Sequence, residues 1–125
     1  MRFTIQGELP SMNEIIDACK RRRGNWSAYS AMKAQQTDRI MAEMMIHHVH
    51  PPAVYRPVRI HFRWFNRTMR RDLDNIAAGK KFILDAMVRA ALLKNDTQEH
   101  VLGFTDTFAL DRENPRIEVE TEEAK

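Results

Sequence analysis

Residues 57 to 65 constrain the fold more than any other segment. Val58, Ile60, Phe62 and Trp64 alternate with Arg59, His61 and Arg63. A period of two puts the apolar side chains on one face of a strand and the basic ones on the other. One face has to pack on a core and the other meets water.

The flanking segments supply the cover for that face. Residues 3 to 6 read as a short strand ended by Gly7 and Pro10, and residues 11 to 26 read as a loop with KRRRGN as its most basic part. Residues 28 to 48 predict a helix with Ser27 as N-cap; Met32, Ile40, Met41, Met44 and Met45 form its apolar side, and Pro51 and Pro52 prevent continuation. Residues 74 to 92 predict a second helix, capped by Asp72 or Asp74, with an apolar stripe through Leu73, Ile76, Ile83, Leu84, Met87 and Ala91. Residues 100 to 110 and 116 to 121 alternate again, and LDRENP between them reads as a hairpin loop. The expected fold is α+β: a small mixed β-sheet with helices packed on one face, in the order β-α-β-α-β-β.

A chain of 125 residues fits a single domain over 1–125, and 43% hydrophobic residues supply a real core. A domain of this size buries roughly two-thirds of its unfolded surface and needs no disulfide staple. Cys19 is the only cysteine, which excludes an intramolecular disulfide and a cysteine-based zinc cluster and suits a reducing, cytoplasmic setting. The opening MRFTIQGELPSMNE has no apolar signal-peptide core. No apolar run approaches the ~20 residues of a membrane helix, so no membrane partner is expected.

The net charge of +3 conceals an uneven distribution. Residues 20 to 71 hold twelve Lys or Arg against Asp38 and Glu43, a local +10, while the segments on either side are acidic. A polyanion, nucleic acid first, is one reading of that stretch; a well-solvated basic surface is the other.

The segment Arg70-Arg71-Asp72-Leu73-Asp74-Asn75 is where chemistry can be read. In an extended backbone, side chains two apart point the same way, so Asp72 and Asp74 can converge on one hard cation. Magnesium takes one or two protein carboxylates and completes its shell with water and substrate phosphate; the adjacent arginines suit the phosphodiester. Taken alone, the pair reads first as ordinary helix capping and second as a metal site. Asp96, in Lys94-Asn95-Asp96, lies past the far end of the second helix, and by itself reads as a turn aspartate.

The ordered set resembles the RusA family of Holliday junction resolvases. RRDLDN, a lysine and an aspartate on the following helix, an aspartate before the next strand, the opening Leu9-Pro10-Ser11-Met12-Asn13 and the closing Asn114-Pro115-Arg116-Ile117-Glu118-Val119 carry the resemblance. It implies an α+β fold and a homodimeric, often prophage-borne endodeoxyribonuclease that nicks four-way DNA junctions symmetrically in recombination and repair. It also implies a metal site of Asp72, Asp74 and Asp96 that uses Mg²⁺, or Mn²⁺ in its place, and a catalytic lysine. Arg70, Arg71 and the run Lys20, Arg21, Arg22, Arg23 are the expected DNA-binding residues.

Two positions depart from the family pattern. Its acidic pair before the third strand is here Asn95-Asp96, leaving one carboxylate, and the usual lysine position is Ala78. At about 100° per residue, Lys81 lies nearly in line with Asp74, whereas Lys80 is about 120° away. Lys81 is therefore the candidate and Lys80 the fallback; a plain i,i+4 surface pair with Asp85 is the competing role for Lys81. His47, His48 and His50 read as solvent-facing residues at a helix end. Asp106, in register with Phe104 and Phe108, points either toward the metal site or outward. Trp26 and Tyr29 read as packing residues, with base stacking as the other option. Two other functions share these features: a structure-selective flap or fork nuclease with the same metal site, and a DNA-binding accessory protein without catalysis.

Overall fold

The computed structural model describes residues 1–124. Its main sheet has four strands, β1 (Arg2–Gln6), β4 (Val58–Asn66), β5 (Val101–Leu110) and β6 (Arg116–Glu123), in the order β1-β6-β4-β5. β1 and β4 both run antiparallel to β6, and β5 runs parallel to β4. The helices are α1 (Met12–Lys20), α2 (Ala28–Ile46), α3 (Leu73–Ala77) and α4 (Lys80–Arg89), and a two-residue hairpin, β2 (Arg22–Arg23) with β3 (Trp26–Ser27), sits between α1 and α2. The α+β class and the mixed sheet agree with the sequence reading.

The alternation of β4 does what its period requires. Ile60, Phe62 and Trp64 are buried, and register places Phe62 beside Val119 and Trp64 beside Ile117. Phe3 and Ile5 of β1 extend the same face beyond β6. Ile40 and Met44 of α2 and Phe82, Ile83, Ala86 and Met87 of α4 join these strands in one core.

The opposite face is polar but not freely basic. Arg63 donates two hydrogen bonds of 3.1 Å to Glu120, Arg2 reaches the same carboxylate at 3.2 Å, and His61 lies 2.9 Å from Glu122. Hydrogen bonds from Arg2, then Arg63, hold the Glu120 carboxyl below its usual value of 4.5. Its contribution to stability is complete above that value and disappears as pH falls through the lower folded one. An acid titration followed by circular dichroism should therefore show wild type losing stability below about pH 4.5 more steeply than Glu120→Gln.

Three local expectations fail, each for a physical reason. Residues 11 to 26 are not a loop, because Ser11 caps α1: its hydroxyl accepts from the Glu14 N–H at 3.2 Å while the Glu14 carboxylate accepts from the Ser11 N–H at 3.3 Å. The Ser-x-x-Glu spacing of this capping box was present in the sequence. The predicted 74–92 helix is broken around Ala78-Gly79. A Cβ on Gly79 would stand 2.9 Å from Cβ of Leu9, so the close approach of the β1–α1 connection requires glycine there. LDRENP is not a hairpin loop, since β5 and β6 lie on opposite sides of β4. The segment folds on itself, with Asp111 accepting from the Asn114 N–H and from Arg116.

α2 and α4 end alike. His48 and Ala91 have φ of 54° and 60°, and the Val49 and Leu92 N–H groups reach back to the carbonyls of Met44 and Met87. This left-handed closure favours glycine. Ala91→Gly should raise unfolding stability by about 1 kcal/mol, the usual penalty of a left-handed alanine, read from urea denaturation.

Candidate active site

The Asp72–Asp74 segment is held by the connection that follows β1. Glu8 accepts the Arg67 N–H at 3.1 Å and pairs with Arg71 at 3.4 Å. Asn75 accepts the Asn13 N–H at 3.1 Å through its side-chain oxygen, tying the start of α1 to the start of α3. Glu8 and Asn75 are positioning residues that the sequence reading did not single out, although Asn75 stands inside the Asp-Leu-Asp-Asn motif.

Asp72 occupies the N-cap position of α3 in extended conformation, yet its side chain makes no capping hydrogen bond. Asp74, in the first turn, accepts only the N–H of its neighbour Asn75, at 2.9 Å. Both residues are exposed. Two exposed carboxylates, with hard oxygen donors at a helix N-terminus, suit a small divalent cation that keeps water and phosphate in the rest of its shell.

Asp96 lies elsewhere in the chain. It lines an open cleft between α2 and α4 with Lys33, Thr37, Lys81, Asp85 and Val88. Lys81 donates to Asp85 at 3.1 Å, and Lys33 stands 3.4 Å from the other Asp85 oxygen, which is buried and accepts no well-directed hydrogen bond. The hydrogen bond that Lys81 donates to Asp85 raises the Lys81 pKa above its ordinary value, helped by the charges of Asp85 and Asp96. Lys81 stays a cation through neutral pH. Among the described residues, no group of three or more His, Cys, Asp or Glu is placed to hold one ion. The chain by itself brings Asp72 and Asp74 into one segment, and Asp96 and Lys81 into one cleft.

The interruption also weakens the straight-helix argument for choosing between the lysines, because Asp74 and Lys81 stand on separate helical segments joined through i→i−3 hydrogen bonds. Their environments separate them instead. Lys80, with a side chain only 17% exposed, pairs with Asp106 at 2.7 Å and stands over the rings of Phe104 and Phe62. Lys81, 54% exposed, faces the cleft that holds Asp96. Asp106 also accepts the Trp64 indole N–H at 2.8 Å, so its carboxylate is engaged on the sheet.

The basic stretch sorts in the same way. Arg63, Lys33 and Arg71 have acidic partners, and Arg39 donates to the carbonyls of Gln6 and Glu8. Lys20, Arg21, Arg22 and Arg23 are exposed and line an open groove with Trp26, with no acidic partner within 4.0 Å among the described residues. Arg70 is exposed beside Asp72. His47 and His48 are exposed at the end of α2, and His47 lies 3.9 Å from Glu43. Tyr29 packs against the core, whereas Trp26 is exposed. Among the described residues, no helix is long and apolar enough to cross a membrane.

A family described as endodeoxyribonuclease RusA matches the chain over residues 17–122. A search of curated proteins finds no significant match.

Proposed function

The chain belongs to the RusA endodeoxyribonuclease family, and from that premise we propose that it is a metal-dependent nuclease that resolves four-way DNA junctions by paired symmetric nicks. The observation that carries the reading is the Asp72–Asp74 pair. It lies within the matched span, is exposed at the start of α3, and has an N-cap carboxylate that does not cap. A carboxylate that makes no cap keeps its oxygens free for a cation.

Asp72 and Asp74 are the proposed ligands of Mg²⁺ or Mn²⁺; Asp96, which stands apart from them within one chain, would complete the site only if a second subunit brought it there. Bound there, such an ion would supply Lewis-acid polarisation of the phosphate and a lowered pKa for a water molecule. The residues of the chain do the rest. Lys81, cationic at neutral pH, offsets charge developing on the phosphoryl oxygens or the leaving oxygen. Arg70, Arg71 and the Lys20–Arg23 groove hold the phosphate backbone, a contribution that weakens as salt rises. Two subunits related by a two-fold axis would present two such sites to a two-fold symmetric junction.

The test is a labelled synthetic four-way junction beside matched linear and flap substrates, with Mg²⁺ or EDTA. Paired nicks on the junction, abolished by EDTA, are the expected result. Cutting confined to flaps or forks would keep the metal site and change the substrate. Binding without cutting in either Mg²⁺ or Mn²⁺ would overturn the nuclease reading and favour a DNA-binding accessory protein.

A further inference from the structure

The small hairpin between α1 and α2 carries an aromatic ring where the fold gives it nothing to pack on. Trp26 is 56% exposed, although tryptophan is highly buried on average in folded chains. Among the described residues, no aromatic ring pairs with it and no cation stands over it. The ring pairs involve Phe62, Trp64, Phe104 and Phe108, and the cations over rings are Lys80 and Arg116. The indole is free to stack on something outside the chain.

Its position is nonetheless fixed. β2 and β3 pair Arg23 with Trp26 and Arg22 with Ser27 across a two-residue turn, and Gly24 takes the positive φ, 59°, that such a turn needs at its first place. Ser27 accepts the Ser30 N–H at 3.0 Å as the cap of α2, and the Ala28 N–H donates to the Arg21 carbonyl at 3.0 Å. The hairpin is thus held between two helix ends. Directly opposed residues share one face of a two-stranded ladder, so Arg23 and Trp26 lie on the same face. Arg21, also extended, alternates onto that face.

Charge and shape together identify the partner. Lys20, Arg21, Arg22 and Arg23 line a groove with Trp26 and find no acidic partner among the described residues. An apolar protein surface seated there would bury those charges uncompensated, which is costly. A nucleic-acid strand supplies phosphates for the cations and a base for the ring, the combination by which single strands are held without sequence preference. A continuous duplex offers the phosphates but not the base, because every base is covered by its stacked neighbours. The ring gains a partner only where bases are unpaired, at a branch point or on a single-stranded arm.

We propose that the β2–β3 hairpin is a platform for unpaired nucleotides, with Trp26 stacking on one base while Arg21 and Arg23 hold the phosphates beside it. This rests on the reading of Lys20–Arg23 as a DNA contact above, and adds to it a preference for unpaired over duplex DNA. α1 sets the reach. Its start is tied to α3 through Asn13 and Asn75, and its nine residues span about 14 Å at ~1.5 Å each. That length equals roughly four nucleotides of stacked strand at ~3.4 Å each. A strand of that length bridges the hairpin and the Asp72–Asp74 segment.

The test is binding of the full chain, in EDTA so that no cleavage intervenes, to a labelled oligothymidylate and to a fully paired duplex of the same length. Trp26 lies outside the core, so its variants should keep the circular dichroism of wild type. Trp26→Ala should weaken oligothymidylate binding by on the order of 5- to 100-fold and duplex binding by less than about twofold. Trp26→Phe, which still presents a ring, should recover most of the lost affinity. The slope of log affinity against log salt should stay unchanged in Trp26→Ala and become shallower in Arg21→Gln/Arg23→Gln, because only the arginines release counterions. Equal losses on both DNAs, or a shallower salt slope in Trp26→Ala, would mean that the ring only shapes the hairpin and would reject the platform. Unchanged oligothymidylate affinity in Trp26→Ala would reject it as well and leave the exposed ring to a protein partner. A wild type that binds neither DNA would reject the platform together with the DNA contact on which it rests. A chain that behaves as expected here but cuts no junction would leave the platform standing and remove only the nuclease reading. Junction cleavage with DNA affinity indifferent to Trp26 would do the reverse.

Discussion

Asp74→Asn should abolish metal-dependent cleavage of a four-way junction while leaving junction binding intact. The substitution keeps the size of the side chain and its oxygen acceptor for the Asn75 N–H. It removes one negative charge and one of the hard donors that a divalent cation needs. Disturbing even the outer partners of a bound metal costs about 10- to 100-fold, so loss of a direct ligand should lower the cleavage rate by on the order of a hundredfold or more. Binding should survive, because the Lys20–Arg23 groove and Arg70 lie outside the substitution and removing an anion near the backbone does not weaken their contacts. Single-turnover cleavage and a gel-shift titration at the same salt separate the two quantities. Full metal-dependent activity in the variant would mean that the Asp72–Asp74 pair is a structural turn after all.

Phe62→Ala should cost about 3–5 kcal/mol of unfolding free energy. Phe62 is fully buried on the central strand, 5.8 Å from the ring of Trp64 and 5.7 Å from that of Phe104, between Val119 on one neighbour and Asp106 on the other. Every heavy atom removed leaves a void that the surrounding strands and α4 cannot collapse into without breaking register. That cost is a large part of the 5–15 kcal/mol typical of a domain. Phe104→Ala, at the open edge, should cost the isolated subunit distinctly less. Urea denaturation at low protein concentration compares the two. Equal losses would mean that Phe104 is as well packed within one chain as Phe62.

The charge pattern shows how a tally by segment can mislead. The +10 stretch invites a broad nucleic-acid surface, but Arg63 is spent on Glu120, Lys33 on Asp85, Arg71 on Glu8, and Arg39 on backbone carbonyls. What remains open is concentrated at Lys20–Arg23, on the end of α1 and the small hairpin that follows. Sequence distance carries no information about these pairings, because each joins residues brought together by strand register or helix packing.

The sequence by itself determined the strands, the long helix, the buried face and the motif. Side-chain periodicity and capping are local properties, set by residues within a few positions of one another, and so they survive without knowledge of the fold. Even α1 was legible in that sense through Ser11 and Glu14. Only the tertiary structure decided that β5 and β6 flank β4 rather than pair with each other. That choice depends on the parallel crossover through α3 and α4, which is a long-range contact. It alone showed that the second helix is interrupted at Ala78-Gly79, where Gly79 meets Leu9, and that Lys80 turns to Asp106 and the sheet while Lys81 turns to Asp85 and the cleft of Asp96.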